Sequence, residues 1–167
     1  DFVMIDNRQL NMSKANKELI SFLCDRRFGV GADGLILLEN STTTDFKMLY
    51  FNADGNEGSM CGNGGRCIVA FAEFLNIITH HTTFEAVDGV HHATIMGGVV
   101  SLQMHDVLKI NKKASHVFLD TGSPHHVQFE ENISDFDIKT IGRKIRTEVY
   151  GSAGSNVNFV KKVDEST

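Results

Sequence analysis

Asn52-Ala-Asp-Gly-Asn-Glu-Gly-Ser-Met-Cys-Gly-Asn-Gly-Gly-Arg66 runs directly into Cys67-Ile-Val-Ala-Phe-Ala-Glu-Phe-Leu75, so a polar, glycine-dense loop opens onto an apolar stretch. The change of pattern predicts a helix that starts at Cys61 and runs to about Asn76; being apolar nearly all round, it is expected to be enclosed by other elements. The amides of a first helical turn have no intrahelical acceptor, and the peptide dipoles add partial positive charge at that end. A thiol placed there is in a setting that favours a thiolate. Gly62, Gly64 and Gly65 carry no Cβ, so a carboxylate or phosphate could approach the amides of residues 62 to 65 closely. Cys61 is therefore the candidate reactive residue. Cys24 and Cys67 read as inert, buried cysteines, the first inside an amphipathic helix and the second within the apolar run.

Upstream of this stretch, Phe2 to Ile5 reads as a strand ending in the turn formers Asp6-Asn7. Ser13 is expected to cap a helix of about four turns whose face is Ala15, Leu19, Phe22 and Leu23, with Gly29 as its stop. Leu35 to Leu38 reads as a buried strand, and Phe46, Met48 and Tyr50 mark one face of the next. Downstream, strands are expected at 82–87, 90–96, 99–104 and 107–110, with turns at Asp88-Gly89 and Gly97-Gly98. Lys112-Lys113 reads as a link. Beyond it, strands at 116–120, 126–130 and 156–163 and a helix at 133–145 would begin a second part. The resulting expectation is an α+β chain, with residues 1–112 as one domain and 113–167 as the beginning of another.

Composition narrows the partners. A formal charge of −5 without a basic cluster gives no support for nucleic acid or an anionic membrane as a partner, and no stretch has the length of a membrane span. Three cysteines at irregular spacing suit a reducing, cytoplasmic setting better than a disulfide framework. Gly29-Val-Gly-Ala-Asp-Gly34 satisfies a dinucleotide-binding pattern, but a helix precedes it and a strand follows, the reverse of what that site needs. Asp120-Thr-Gly122 reads as a strand-end turn rather than half of a protease dyad. The His pairs at 80–81, 91–92 and 125–126 would point to opposite faces of their strands, so most are expected at the surface and no metal site is assigned. Asn52, Asp54 and Asn56 alternate like part of a calcium loop but lack its distal Glu, and read as a structured turn.

Three motifs carry a resemblance. Cys24-Asp-Arg-Arg-Phe-Gly-Val-Gly-Ala-Asp-Gly-Leu35, Phe51-Asn-Ala-Asp-Gly55 and Met60-Cys-Gly-Asn-Gly-Gly-Arg-Cys67 resemble the diaminopimelate epimerase family in order and spacing. The likeness continues through Asp120-Thr-Gly-Ser-Pro-His-His-Val127 and Gly154-Ser-Asn-Val-Asn-Phe-Val160. It implies a largely antiparallel, curved sheet wrapped about a central helix, as the first of two similar halves. It also implies that a segment before Asp1 and most of the second half after Thr167 are missing from this chain.

Inverting an amino-acid centre requires removing an α-hydrogen from one face and returning a proton to the other, so two bases are needed. The resemblance implies that Cys61 is one of them, in a cofactor-independent exchange of LL- and meso-diaminopimelate serving lysine and peptidoglycan-precursor synthesis. The second cysteine would lie beyond Thr167, which leaves this chain alone inactive. By the same resemblance Asn52 and Asn158 bind substrate, and Gly62 and Asn63 offer backbone donors to its α-carboxylate. Ser123 stands where the family has Asn, and Gly34 where it has a more polar residue; these are the two departures among the substrate-binding positions. The expected partner is a small molecule, and a homodimer is compatible with the reading. The alternatives are a same-fold isomerase or racemase for another substrate, against which Asn158 and Met60-Cys-Gly-Asn-Gly64 argue, or an inactive fragment.

Overall fold

Alternation of apolar and polar residues becomes strand pairing in the computed structural model, which describes residues 1–14 and 16–164. Six strands form the first sheet: β1 (Phe2–Asp6), β2 (Gly34–Glu39), β3 (Phe46–Asn52), β4 (His81–Ala86), β5 (Gly89–Met96) and β6 (Val99–Leu102), in that spatial order. Pairings β2–β3, β4–β5 and β5–β6 are antiparallel. β1–β2 and β3–β4 are parallel, so the sheet is mixed with an antiparallel majority. The two parallel pairs join segments separated by a helix, as parallel crossovers require. Between β5 and β6, Gly97 and Gly98 hold φ of 58° and 79°, the left-handed pair that a tight hairpin demands.

Helix α2 (Gly62–Phe74) packs against β1, β2, β3, β5 and β6, touching both edge strands of the sheet that curves about it. Ile68, Val69 and Ala72 join Ile36, Leu38, Phe46, Met48, Phe84 and Ile95 in its core. Phe46 and Phe84 stack there at 5.2 Å. The expected enclosure on all sides is not found: Phe74 is 77% exposed, and Ala70 and Cys67 are exposed with it. Cys67 is thus a surface thiol rather than a buried one, because only one face of α2 is covered within this unit.

Helix α1 (Lys17–Cys24) lies on the other face of the sheet, where Ile20 and Cys24 pack with Leu35, Leu37, Leu49 and Phe51. It is shorter than expected, and Asn16 rather than Ser13 caps it by accepting from the Leu19 amide. Its buried face also differs, since Leu19 and Phe22 are exposed; Ala15 lies outside the described residues. The segment after Cys24 folds back on the helix end, with the amides of Val30 and Gly31 bonding the Leu23 carbonyl. A Cβ on Gly29 would sit 1.9 Å from the Phe22 carbonyl oxygen, so only glycine fits that return. Cys24 is buried as expected, and burial pushes its thiol up.

The chain divides at Met104/His105 into two units, ahead of the 112/113 division expected from the sequence. The expected strand at 107–110 and the link at Lys112-Lys113 give way to β7 (Ile110–Lys112), which pairs with β8 (Val117–Asp120). In the second unit β9 (Pro124–Phe129) pairs antiparallel with β8 and parallel with β10 (Asn156–Val160). Helix α3 (Ile138–Glu148) starts five residues later than expected, capped by Asp137. Among the described residues no helix is long and apolar enough to cross a membrane.

Candidate functional site

Cys61 occupies the N-cap of α2, with extended backbone (φ −119°, ψ 114°) and its Sγ 3.5 Å from the Gly64 amide that donates to it. The Cys61 carbonyl accepts from the Gly65 amide at 2.8 Å. Two of the four amides expected to cradle an anion are therefore used by Cys61 itself. Among the described residues no protein acceptor is found for the amides of Gly62 and Asn63, which leaves these two as the candidates to face an anion. Gly64 and Gly65 serve packing instead: a Cβ on Gly64 would press on Ile36 and Met48 at 3.0 and 3.1 Å, and one on Gly65 on Leu102 at 2.7 Å. The helix start is thereby seated on the sheet. Asn63 is exposed, and its Oδ1 accepts from the Arg66 guanidinium one turn on.

The loop before Cys61 is fixed from both sides. Asn52 accepts from the Gly55 amide and donates its own to the Asn56 carbonyl, each at 2.9 Å, while Asp54 Oδ1 takes the Asn56 amide. These bonds from Asn56 hold the Asp54 carboxyl below its ordinary value. Gly55 has φ of 80°, and a Cβ there would lie 2.4 Å from the Lys17 carbonyl oxygen at the start of α1. Lys17 Nζ donates to Asn56 Oδ1 at 2.7 Å. This is a structured turn, as expected, and it returns antiparallel along the end of β3 through the Gly58–Tyr50 bond to deliver residues 58 to 61.

Asn52 and Gly34 are brought together as direct partners in the β2–β3 register. Residues two apart on a strand share a face, so Tyr50 stands beside Asn52, and its hydroxyl donates to Asn52 Oδ1 at 3.1 Å. Burial, and then the charge of a Cys61 thiolate, push the Tyr50 phenol up. Sequence reasoning used Tyr50 only as a marker of strand face. The missed signal was a polar ring two residues before Asn52, with glycines at 34 and 58 facing it.

Asn158 and Ser123 belong to the second unit. Asn158 lies opposite Val127 in the β10–β9 ladder, with Nδ2 3.1 Å from His125 Nδ1 and donating to the His126 carbonyl at 3.3 Å. Ser123 sits in the turn between β8 and β9, where its carbonyl accepts from Thr121 and Asp120 takes the Gly122 amide. Asp120-Thr-Gly122 is thus a strand-end turn, as expected. Most of the paired histidines are exposed or partly exposed, as expected, and in the pairs 91–92 and 125–126 one ring of each is buried. His91 is 1% exposed and pairs with Asp88 at 2.8 Å; His126 is 3% exposed and shares a 2.8 Å hydrogen bond with the Tyr150 hydroxyl. Polar partners make those burials affordable.

A mixed sheet curled on a helix is an arrangement that known proteins share. A Bacillus anthracis phenazine biosynthesis protein of the PhzF family superposes with a TM-score of 0.66 at 14% identity, over 97% of this chain and 62% of that one. A probable proline racemase from Agrobacterium radiobacter K84 gives 0.63 at 15% identity, over 95% and 58%. These likenesses show the fold. Sequence similarity is far higher to the diaminopimelate epimerase of Flavobacterium psychrophilum, 62% identical over 162 residues and 96% of this chain. The chain spans 63% of that relative's length. Since the family model for diaminopimelate epimerase also matches residues 1–107, including the whole Cys61 loop and helix, the chain belongs to the diaminopimelate epimerase family.

Proposed function

We propose that the protein to which this chain belongs epimerises LL-diaminopimelate to meso-diaminopimelate by a cofactor-independent two-base mechanism, with Cys61 as one base. The observation that carries the reading is Cys61 as N-cap of α2, followed by the two uncommitted amides of Gly62 and Asn63. The Cys61 thiolate takes the α-hydrogen as a proton, and the electron pair left on carbon delocalises into the substrate carboxylate. Charge developing there is met by the amides of residues 62 and 63 and by the positive end of α2. A thiol on the opposite face then gives its proton to the carbon, inverting the centre and ending as the thiolate. In the reverse direction the two sulfurs exchange roles. Asn52 and Asn158 are assigned to substrate binding in the same reading, and Ser123 and Gly34 remain the positions that depart from the family pattern.

The second base is assigned to residues outside 1–167. Cys24 is enclosed in the α1 core, and Cys67 lies on the same helix about 9 Å further along its axis. A reducing, cytoplasmic setting suits a mechanism that needs both thiols free. The test is Cys61→Ala in the full-length protein, read by solvent deuterium entering the substrate α-carbon. Loss of incorporation in the direction Cys61 serves, by at least about 10²-fold in kcat, is expected; near-normal epimerisation would remove Cys61 from the mechanism. A mass-verified 1–167 chain is expected to give no steady conversion, and a rate near that of the full-length protein would mean that the second base lies within it.

A further inference from the structure

Within the Cys61 unit one aromatic ring is packed more tightly than its half-buried position requires. The Tyr50 ring lies between two backbones that carry no side chain: a Cβ on Gly34 would sit 2.5 Å from Cε2, and one on Gly58 would sit 2.4 Å from Cε1. Phe2 meets the same ring edge to face, with centroids 5.7 Å apart and planes at 85°. Three contacts thus fix a side chain whose hydroxyl bonds Asn52 Oδ1 at 3.1 Å. The same absent Cβ of Gly58 would lie 3.3 Å from Asn52 Nδ2, so Gly58 gives room to the phenol and the amide together.

We infer that Tyr50 is a positioning residue for substrate: clamped in the space that Gly34 and Gly58 leave open, it holds the Asn52 amide so that Nδ2 is the end offered to a carboxylate oxygen of the ligand. This rests on the reading above, in which Asn52 touches substrate, and it gives Gly34 a reason. A side chain at position 34 would occupy the place of the ring, so the polar group missing from β2 is supplied from β3 across the Gly34–Asn52 pair. An amide can present either its carbonyl or its NH₂ group, and a hydroxyl donor on one end selects between them. The phenol remains protonated, and so remains a donor, because burial and the neighbouring thiolate both oppose its ionisation.

The test is a double-mutant cycle in the full-length protein with Tyr50→Phe, Asn52→Ala and the pair. Phenylalanine keeps the ring between the glycines and removes only the hydroxyl. Tyr50→Phe is expected to raise KM about tenfold, with kcat changed less than about threefold and Tm little altered. If Tyr50 acts through Asn52, the double variant is no weaker in KM than Asn52→Ala alone. A purely structural tyrosine would lower Tm and leave KM near wild type, and an independent contact would give additive losses; either result overturns the inference. Cys61→Ala assayed alongside separates the two claims. Its inactivity together with a wild-type KM for Tyr50→Phe overturns the Tyr50 role alone, whereas its continued turnover overturns the underlying reading of the site.

Discussion

Helices α2 and α3 each lie against a sheet, but they are held there differently. α2 buries Gly64, Gly65, Ile68, Val69 and Ala72 against its strands. α3 buries no residue fully; its contacts with β10 include ordinary packing of Gly142 against Phe159, 3.7 Å from where a Cβ would stand. The first unit is organised by apolar interlock, with Phe46, Phe84, Ile36, Leu38 and Ile68 removed from solvent. In the second, the buried side chains among the described residues are the polar His126 and Ser155. Cys61, the base proposed above, is carried at the start of the interlocked helix, whereas Asn158 and Ser123 are held by hydrogen bonds between strands and turns.

The largest expected effect tests this contrast directly. Phe84 is fully buried and stacked on both Phe46 and His91, so Phe84→Ala is expected to destabilise the first unit by about 3–5 kcal/mol. Phe136 is only partly buried and meets the Phe159 ring at 4.7 Å, so Phe136→Ala should cost the second unit about 1 kcal/mol. Hydrogen exchange of the full-length protein, resolved by segment, reads the two separately. Equal losses would mean that the second unit has a core as consequential as the first.

Glycines sharpen the comparison at a smaller scale. Gly34→Ala would drive a Cβ to 2.5 Å from both the Phe51 carbonyl oxygen and the Tyr50 ring. Because the first of these is backbone in a paired strand, relief requires the ladder to shift, and a loss of about 1–3 kcal/mol is expected. Gly142→Ala on α3 meets only the ordinary contact with Phe159, so its better helix propensity should stabilise the second unit by about 0.5–1 kcal/mol. Denaturation midpoints moving in opposite directions are the expected result. A neutral Gly34→Ala would show that the β2–β3 pair yields easily.

How much of this was legible in the sequence follows from the range of the interactions involved. The start of α2 at Cys61 was readable because a glycine-rich run meets an apolar one, and the β4–β5–β6 hairpins because Asp88-Gly89 and Gly97-Gly98 are local turn chemistry. The face of α1 was not, since Leu19, Phe22 and Ile20 are equally apolar and only contact with β2 and β3 selects Ile20. The parallel β1–β2 and β3–β4 pairs join distant segments and leave no local mark. Burial of His91 and His126 depended on finding Asp88 and the Tyr150 hydroxyl as partners. At the site, Asn52, Gly62 and Asn63 could be carried over from motifs, but Tyr50 emerged only when the strand register set it between two glycines.

The smallest effect concerns pH, and it belongs to the second unit alone. His116 stacks on His126 with centroids 4.0 Å apart and planes at 18°, while its Nδ1 lies 3.2 Å from Ser115 Oγ. Burial, the His126 charge and the Lys113 charge all hold the His116 imidazole below its ordinary value of 6.5. The folded unit therefore binds this proton less readily than the unfolded chain does. As pH falls through about 6.5 the unfolded state takes up the proton first, so stability present above that value is lost on acidification until the folded group also titrates. The expected observation is that β8 and β9 amides lose protection between about pH 7.5 and about pH 5.5, after correction for the intrinsic exchange rate. His116→Gln removes the titrating ring next to His126 and should flatten that dependence. If the variant loses protection over the same interval as the parent, the stacked His116–His126 pair is not the source of the pH sensitivity.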